Sequence, residues 1–189
     1  MEIKSNIKIK ITRKNNFTKI LNQIDIIISL ILMRDIDSLI QENRTNYYKL
    51  LTILGNNGTK IDKIVKYLQK KDWEIYDVEK EVLELTNNIP VEKIKLRIGT
   101  EIKKWVKQLG NRLVLFNSNI LYSKEMDKIG PFRAFKYCMR GKKEAVLFMD
   151  AKLKGVYAIY STPDRPDYLK VELSDVLFEE IKNIKLPEV

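Results

Sequence analysis

Gly55-Asn56-Asn57-Gly58-Thr59-Lys60 is the segment whose residue types point most directly to chemistry. It follows an apolar run, Tyr47 to Leu54, and precedes a stretch with helical spacing, Lys60 to Lys71. Glycines let backbone N–H groups turn inward around phosphate oxygens. The start of a helix adds partial positive charge, and a lysine supplies a point charge. Such a segment suits the phosphates of ATP or another nucleotide. It also suits an ordinary strand-to-helix turn, in which Asn and Gly supply positive φ. Against the pattern GxxxxGK[ST] the segment is one residue short. Thr59 stands where the second glycine belongs, and Ile61 where a hydroxyl would bind Mg²⁺.

A second position bears on the same chemistry. Arg112-Leu113-Val114-Leu115-Phe116-Asn117 has the basic residue and the four apolar residues of a Walker B strand but ends in Asn117. An amide can hold a water or make a contact, but it lacks the charge that positions Mg²⁺. Ser118 follows, where many such enzymes carry a catalytic acid. With both metal-organising positions altered, the sequence predicts a nucleotide fold whose hydrolysis has decayed. Binding would be weak, Mg²⁺ would not be held tightly, and no residue is assigned a catalytic role.

Composition removes other chemistries. The chain of 189 residues has no histidine and one cysteine, Cys138. Ser-His-Asp and Cys-His catalysis, histidine-ligated metals and internal disulfides are excluded. No carboxylate pair stands out for acid–base work. Apolar residues make up 44% and charged residues 32%, which fits neither a disordered chain nor a membrane bundle. The greasy stretch Ile24 to Met33 is interrupted by Asp25 and Ser29 and is too short to span a bilayer. It reads as a buried helix in a cytoplasmic protein without membrane attachment.

The elements that must position these residues follow from periodicity. Residues 3–12 alternate as an edge strand or arm, and residues 17–42 read as one or two helices ending at a polar break, Asn43 to Asn46. Beyond it come strands Tyr47 to Leu54, Trp73 to Val78, Leu113 to Phe116, Ala145 to Met149 and Val156 to Tyr160. Helices are expected over Lys60 to Lys71, Glu79 to Leu85, Pro90 to Leu109 and Pro131 to Met139. A closing helix is expected from Ser174, as N-cap, to Ile184. The fourth and fifth strands, separated by Asp150–Gly155, suit an edge hairpin. Alternating strands and helices predict an α/β fold with a mostly parallel sheet covered on both faces. The expected organisation is an N-terminal extension over 1–45 and one domain over 46–189.

From residue 47 onward, the order of segments resembles the small P-loop proteins of BREX-type phage-defence systems, the BrxF family. After the loop comes Glu84-Leu85-Thr86-Asn87-Asn88-Ile89-Pro90, comparable to that family's helical stretch and leucine- and proline-containing turn. Leu115-Phe116-Asn117-Ser118 is comparable to its "LLDN" strand end, and Gly130-Pro131-Phe132-Arg133 to its proline and apolar-Arg segment. Met139-Arg140 matches a helix ending near an arginine, and Thr162-Pro163-Asp164-Arg165-Pro166-Asp167-Tyr168 a "tPxxPdY" tail. The resemblance implies an additional-strand P-loop sandwich of three layers and a role in antiviral defence beside other proteins of such a system. With Ile61 and Asn117 in the metal positions, it does not carry ATPase activity over to this chain.

Charge suggests a further class of partner. Lys plus Arg number 35 against 25 for Asp plus Glu, a net charge of +10. Lys- and Ile-rich usage accounts for part of this as plain composition bias. The basic residues nonetheless concentrate within 1–20, 93–112 and 133–154, whereas 72–92 is acidic. Opposed patches suit assembly with a partner or a second copy, and basic segments can track DNA or RNA phosphates. Lys103 and Lys107 on the 91–109 helix, with Arg133 and Arg140, are the candidate contacts; each is equally a solvated surface charge. A basic nucleic-acid-binding or scaffold subunit without any nucleotide site is the alternative function.

Overall fold

The computed structural model describes residues 33–87, 89–123, 126 and 131–186. The strand expected over 3–12, and the helix expected from 17 as far as residue 32, lie outside the described residues. The chain divides into two compact units, 1–34 and 35–189. The second holds the central sheet and the candidate loop.

This unit opens with α1, Ile36–Thr45, whose N-cap Asp35 accepts the Ser38 N–H at 2.8 Å. Then come β1 (Leu50–Leu54), α2 (Gly58–Gln69), β2 (Glu74–Asp77) and α3 (Val78–Thr86). A 3₁₀ turn, Val91–Lys93, leads into α4 (Ile94–Gln108) and β3 (Arg112–Phe116). After a second 3₁₀ turn, Ser118–Tyr122, follow α5 (Pro131–Lys136) and β4 (Glu144–Met149). The chain continues through β5 (Lys152–Lys154), β6 (Tyr157–Tyr160), β7 (Leu169–Glu172) and β8 (Phe178–Glu180).

Five strands form one sheet in the order β2-β3-β4-β1-β8, and every neighbouring pair is parallel. The mixed α/β class and the mostly parallel sheet are those expected from the alternation of elements. All of β1 and β4 is buried, because both strands are covered on both faces and paired on both edges. Their side chains alternate between two cores. Leu50, Leu54, Ala145, Leu147 and Met149 pack with α3, α4 and α5 through Val82, Ile98, Ile102 and Phe135. Leu51, Ile53, Val146 and Phe148 pack with α1 and α2 through Ile36, Leu39, Ile64 and Leu68. Each fully buried aliphatic side chain contributes about 1.5–3 kcal/mol of transfer free energy. These layers set the sheet as a rigid platform whose strand ends carry the loops.

Three expectations fail. Ser174 to Ile184 is not a helix: Ser174 Oγ donates to Glu172 Oε1, and Phe178–Glu180 becomes β8. The free edge of β1 is the competing partner, and its Thr52 N–H donates to Leu177 O at 2.9 Å. A buried edge amide requires an acceptor, which outweighs weak helix propensity. The Val156 to Tyr160 strand does not join the parallel sheet. It lies as β6 in a separate antiparallel sheet, β5-β6-β7, because β4 already has a neighbour on each side. The hairpin therefore forms between β5 and β6, turning at Gly155 with φ +61°. Finally, α1 runs through Asn43 to Thr45 rather than breaking there, with Asn43 buried.

One ion pair ties α1 to the sheet. Glu144 at the start of β4 is buried and receives Arg44 Nε at 2.9 Å and Nη2 at 2.8 Å. Arg112 Nε stands at 3.6 Å from the same carboxylate. These hydrogen bonds raise the Arg44 pKa above its ordinary value. Removing Arg44 leaves the desolvated carboxylate with only the longer Arg112 contact, whereas removing Glu144 leaves two guanidinium groups near enough to the surface to rehydrate. Arg44→Ala should cost about 3 kcal/mol in urea unfolding, with Glu144→Ala costing distinctly less.

Candidate functional site

The connection from β1 to α2 is short and closed on itself. Leu54 ends the strand, and Gly55 turns the chain at φ +113° while its N–H donates to Met149 O at 3.0 Å. Two residues later Asn57 caps α2. Its Oδ1 accepts the Lys60 N–H at 3.0 Å, and its carbonyl accepts the N–H groups of Lys60 and Ile61. Asn57 is thus an ordinary N-cap that satisfies donors a bound phosphate would otherwise use. Gly58 opens the helix with no atom within 4 Å of the place a Cβ would take, and Thr59 is exposed in the first turn.

Lys60 is not directed into the crevice. Its Nζ donates to Lys182 O at 3.2 Å, in the turn Ile181–Asn183 that follows β8. Partial burial lowers its pKa. The late β8 turn therefore takes the ammonium group that the sequence assigns to phosphate.

A cleft of about 170 Å³ lies at the carboxyl ends of β1, β3 and β4. Gly55, Asn56 and Ile61 form one wall, Phe116 to Asn119 a second, and Phe148 to Asp150 a third. This is where an open parallel sheet presents its ligand crevice. Asn117 lines it in the left-handed region at φ +53°, with its Nδ2 donating to Asp77 Oδ2 at 3.0 Å. Asn56 Nδ2 donates to Asp150 Oδ2 at 3.0 Å. Ser118 is buried, and its hydroxyl donates to Phe148 O at 2.9 Å, so it braces β4 rather than facing a reactant.

The electrostatics follow from this lining. Asp150 is the one carboxylate among the described lining residues, and no lysine or arginine is among them. The asparagine amides offer neutral polar contacts, whereas the Asp150 carboxylate opposes the charge of a triphosphate, and Asn57 caps the Lys60 amide. As arranged, the described lining offers no cation to the phosphates of a nucleotide. Asp77 and Asp150 escaped the sequence analysis. Their signal is positional, since Asp77 ends β2 and Asp150 directly follows β4, at the carboxyl rim of the parallel sheet.

The candidate basic contacts lie elsewhere. Lys103 and Lys107 are exposed on α4 and, with Lys143 and Arg140, act electrostatically on Cys138. Their charges oppose the burial that pushes the Cys138 thiol up. Arg133 is exposed on α5. Three of the four candidate contacts are therefore neighbours, at the end of the sheet opposite the cleft. Among the described residues no helix is long and apolar enough to cross a membrane.

The two loop glycines should respond in opposite ways. A Cβ at Gly55 would stand 2.9 Å from Ile181 Cγ2 on an unfavourable φ, so Gly55→Ala should cost about 1–3 kcal/mol. Gly58→Ala should leave stability unchanged or raise it by about 0.4–1 kcal/mol, because a helical position with open space gains from a stiffer unfolded chain. Thermal unfolding of both variants checks this. Lys60 gives a pH signature. With a folded pKa below the usual 10.5, its charge weakens the fold at neutral pH. Wild type should therefore gain stability relative to Lys60→Met as pH rises from the lowered value toward 10.5.

Comparison with family models, curated proteins and solved structures gives no match for this chain.

Proposed function

We propose that the chain is a degenerate P-loop-type subunit of a phage-defence assembly, whose rim cleft no longer performs triphosphate chemistry. The observation that carries this is the state of the β1–α2 connection. It stands in the slot of a phosphate loop, yet Asn57 takes the Lys60 and Ile61 amides and Lys60 Nζ bonds to Lys182 O.

Sheet order supports the P-loop ancestry. In an additional-strand P-loop fold, an extra strand separates the loop-bearing strand from the Walker B strand. Here β4 lies between β1 and β3, with the loop after β1 and Asn117 after β3. The double substitution at Ile61 and Asn117 is coherent with that history, since both positions serve the metal. The place in a defence system rests on the order of segments that resembles the BrxF family. In such a setting the subunit contributes surfaces for assembly, and any nucleotide contact is weak and independent of Mg²⁺.

Calorimetric titration with ATP, with and without Mg²⁺, together with a phosphate-release assay, tests the biochemical half. The expected results are no turnover, dissociation constants no tighter than about 1 mM (about −4 kcal/mol) and no effect of Mg²⁺. Robust hydrolysis abolished by Lys60→Ala would contradict the proposal. Phage plating on cells carrying or lacking the chain tests the other half. Loss of the chain should raise plating efficiency, and Lys60→Ala should restore protection as well as wild type.

A further inference from the structure

The amino-terminal rim of the sheet carries a group of residues that the cleft does not use. The approaches to β1 and β4 run side by side there. Lys49 N–H donates to Met139 O at 2.9 Å, and Ala145 N–H to Lys49 O at 2.9 Å. Tyr47, Tyr48 and Tyr137 thereby meet around Arg140, whose guanidinium lies 5.1, 4.8 and 5.7 Å from their ring centroids. Arg140 Nη2 also donates to the Tyr48 hydroxyl at 3.0 Å. The rings meet edge-on, Tyr47 to Tyr48 at 4.8 Å and Tyr48 to Tyr137 at 5.8 Å.

Exposure separates this cluster from core packing. Tyr47 is 70% and Tyr137 48% exposed, although each ring lies beside a cation. Lys103 and Lys107 are exposed on α4 and, with Arg140, act electrostatically on Cys138. The acids close by are committed: Asp175 to Lys136 at 2.7 Å and Glu144 to Arg44 at 2.8 Å. The rim therefore presents exposed rings beside the Arg140 guanidinium, with Lys103 and Lys107 as the exposed cations of the α4 side.

We propose that this rim binds single-stranded nucleic acid through phosphate contacts and base stacking, without reading sequence. Cations alone would suit any acidic surface. Exposed tyrosine faces beside a planar guanidinium suit unpaired bases, because every base offers a π-face and stacking tolerates any sequence. Tyr47 and Tyr137 are the stacking residues, and the exposed Lys103 and Lys107 follow the phosphates, whereas Lys143 Nζ is held by the Val106 and Leu109 carbonyls at 2.7 and 2.6 Å. The five-residue β1 separates this rim from the cleft by roughly 16 Å, so binding here is independent of whether the cleft takes nucleotide.

Fluorescence anisotropy of a labelled oligo-dT of about 15 nucleotides with the full chain tests this. Wild type should bind at low salt, and affinity should fall about tenfold or more between about 50 and about 200 mM salt. The double variant Tyr47→Ala/Tyr137→Ala should lose about tenfold, while Tyr47→Phe/Tyr137→Phe keeps the rings and the affinity. Lys103→Ala/Lys107→Ala should flatten the salt dependence, and duplex DNA of the same length should bind more weakly. Circular dichroism melts establish that each variant is folded. The proposal is overturned by absent binding at low salt, by a folded Tyr→Ala pair that binds like wild type, or by equal duplex binding. Salt-sensitive self-association in place of oligonucleotide binding, which would make a second copy the occupant, overturns it equally.

Discussion

Burial of β1 on both faces and along both edges governs the rest of the molecule. A strand so placed must be apolar at nearly every position, and Leu50-Leu51-Thr52-Ile53-Leu54 is. It must also find an acceptor or donor for each backbone group on each side. The β4 partner supplies one side, and β8 is recruited from the far end of the chain to supply the other. With the strand's interior committed to packing, chemistry can only reside where it begins and ends. Both functional proposals accordingly concern its two ends.

Recruiting β8 also reshapes the carboxyl rim. The turn after β8 brings the Lys182 carbonyl to Lys60 Nζ and the Ile181 side chain against Gly55. A phosphate loop requires unpaired amides and a lysine free to follow charge. Here the Asn57 side chain takes the Lys60 amide, and the lysine takes a protein carbonyl. Across the cleft, Asn117 bonds to Asp77 and Asn56 to Asp150. Local hydrogen bonds thus occupy Asn56, Lys60 and Asn117, the polar groups that the rim would turn to a ligand.

Much of this fold is legible in the sequence because period and burial coincide. Val91 to Leu109 declares its helix through Ile94, Ile98, Ile102 and Trp105, although its first turn is 3₁₀. The apolar runs around Leu51, Val114 and Leu147 declare strands covered twice. The C-terminal segment does not, since Ser174 looks like a cap and Val176 to Ile181 has neither clean alternation nor a break. Its strand exists only because a distant edge needs a partner, and no local pattern encodes that. The candidate loop was placed correctly at the strand-to-helix junction, but the direction of Lys60 depended on that same distant turn. Likewise Arg140, Lys103 and Lys107 are identifiable as basic residues, whereas the meeting of Arg140 with Tyr47 and Tyr137 requires the parallel pairing of β1 with β4.

The central claim is that the β1–α2 connection, with its Lys60 amide taken by Asn57 and its Lys60 ammonium by the Lys182 carbonyl, offers no anion cradle. The most direct measurement is a ¹⁵N–¹H correlation spectrum of the full chain titrated with ATP and Mg²⁺ into the millimolar range. The account predicts that the amides of Asn56 to Ile61 stay in place, with Lys60 unmoved under its Asn57 cap. Saturating shifts concentrated on Gly58, Thr59 and Lys60 would contradict it.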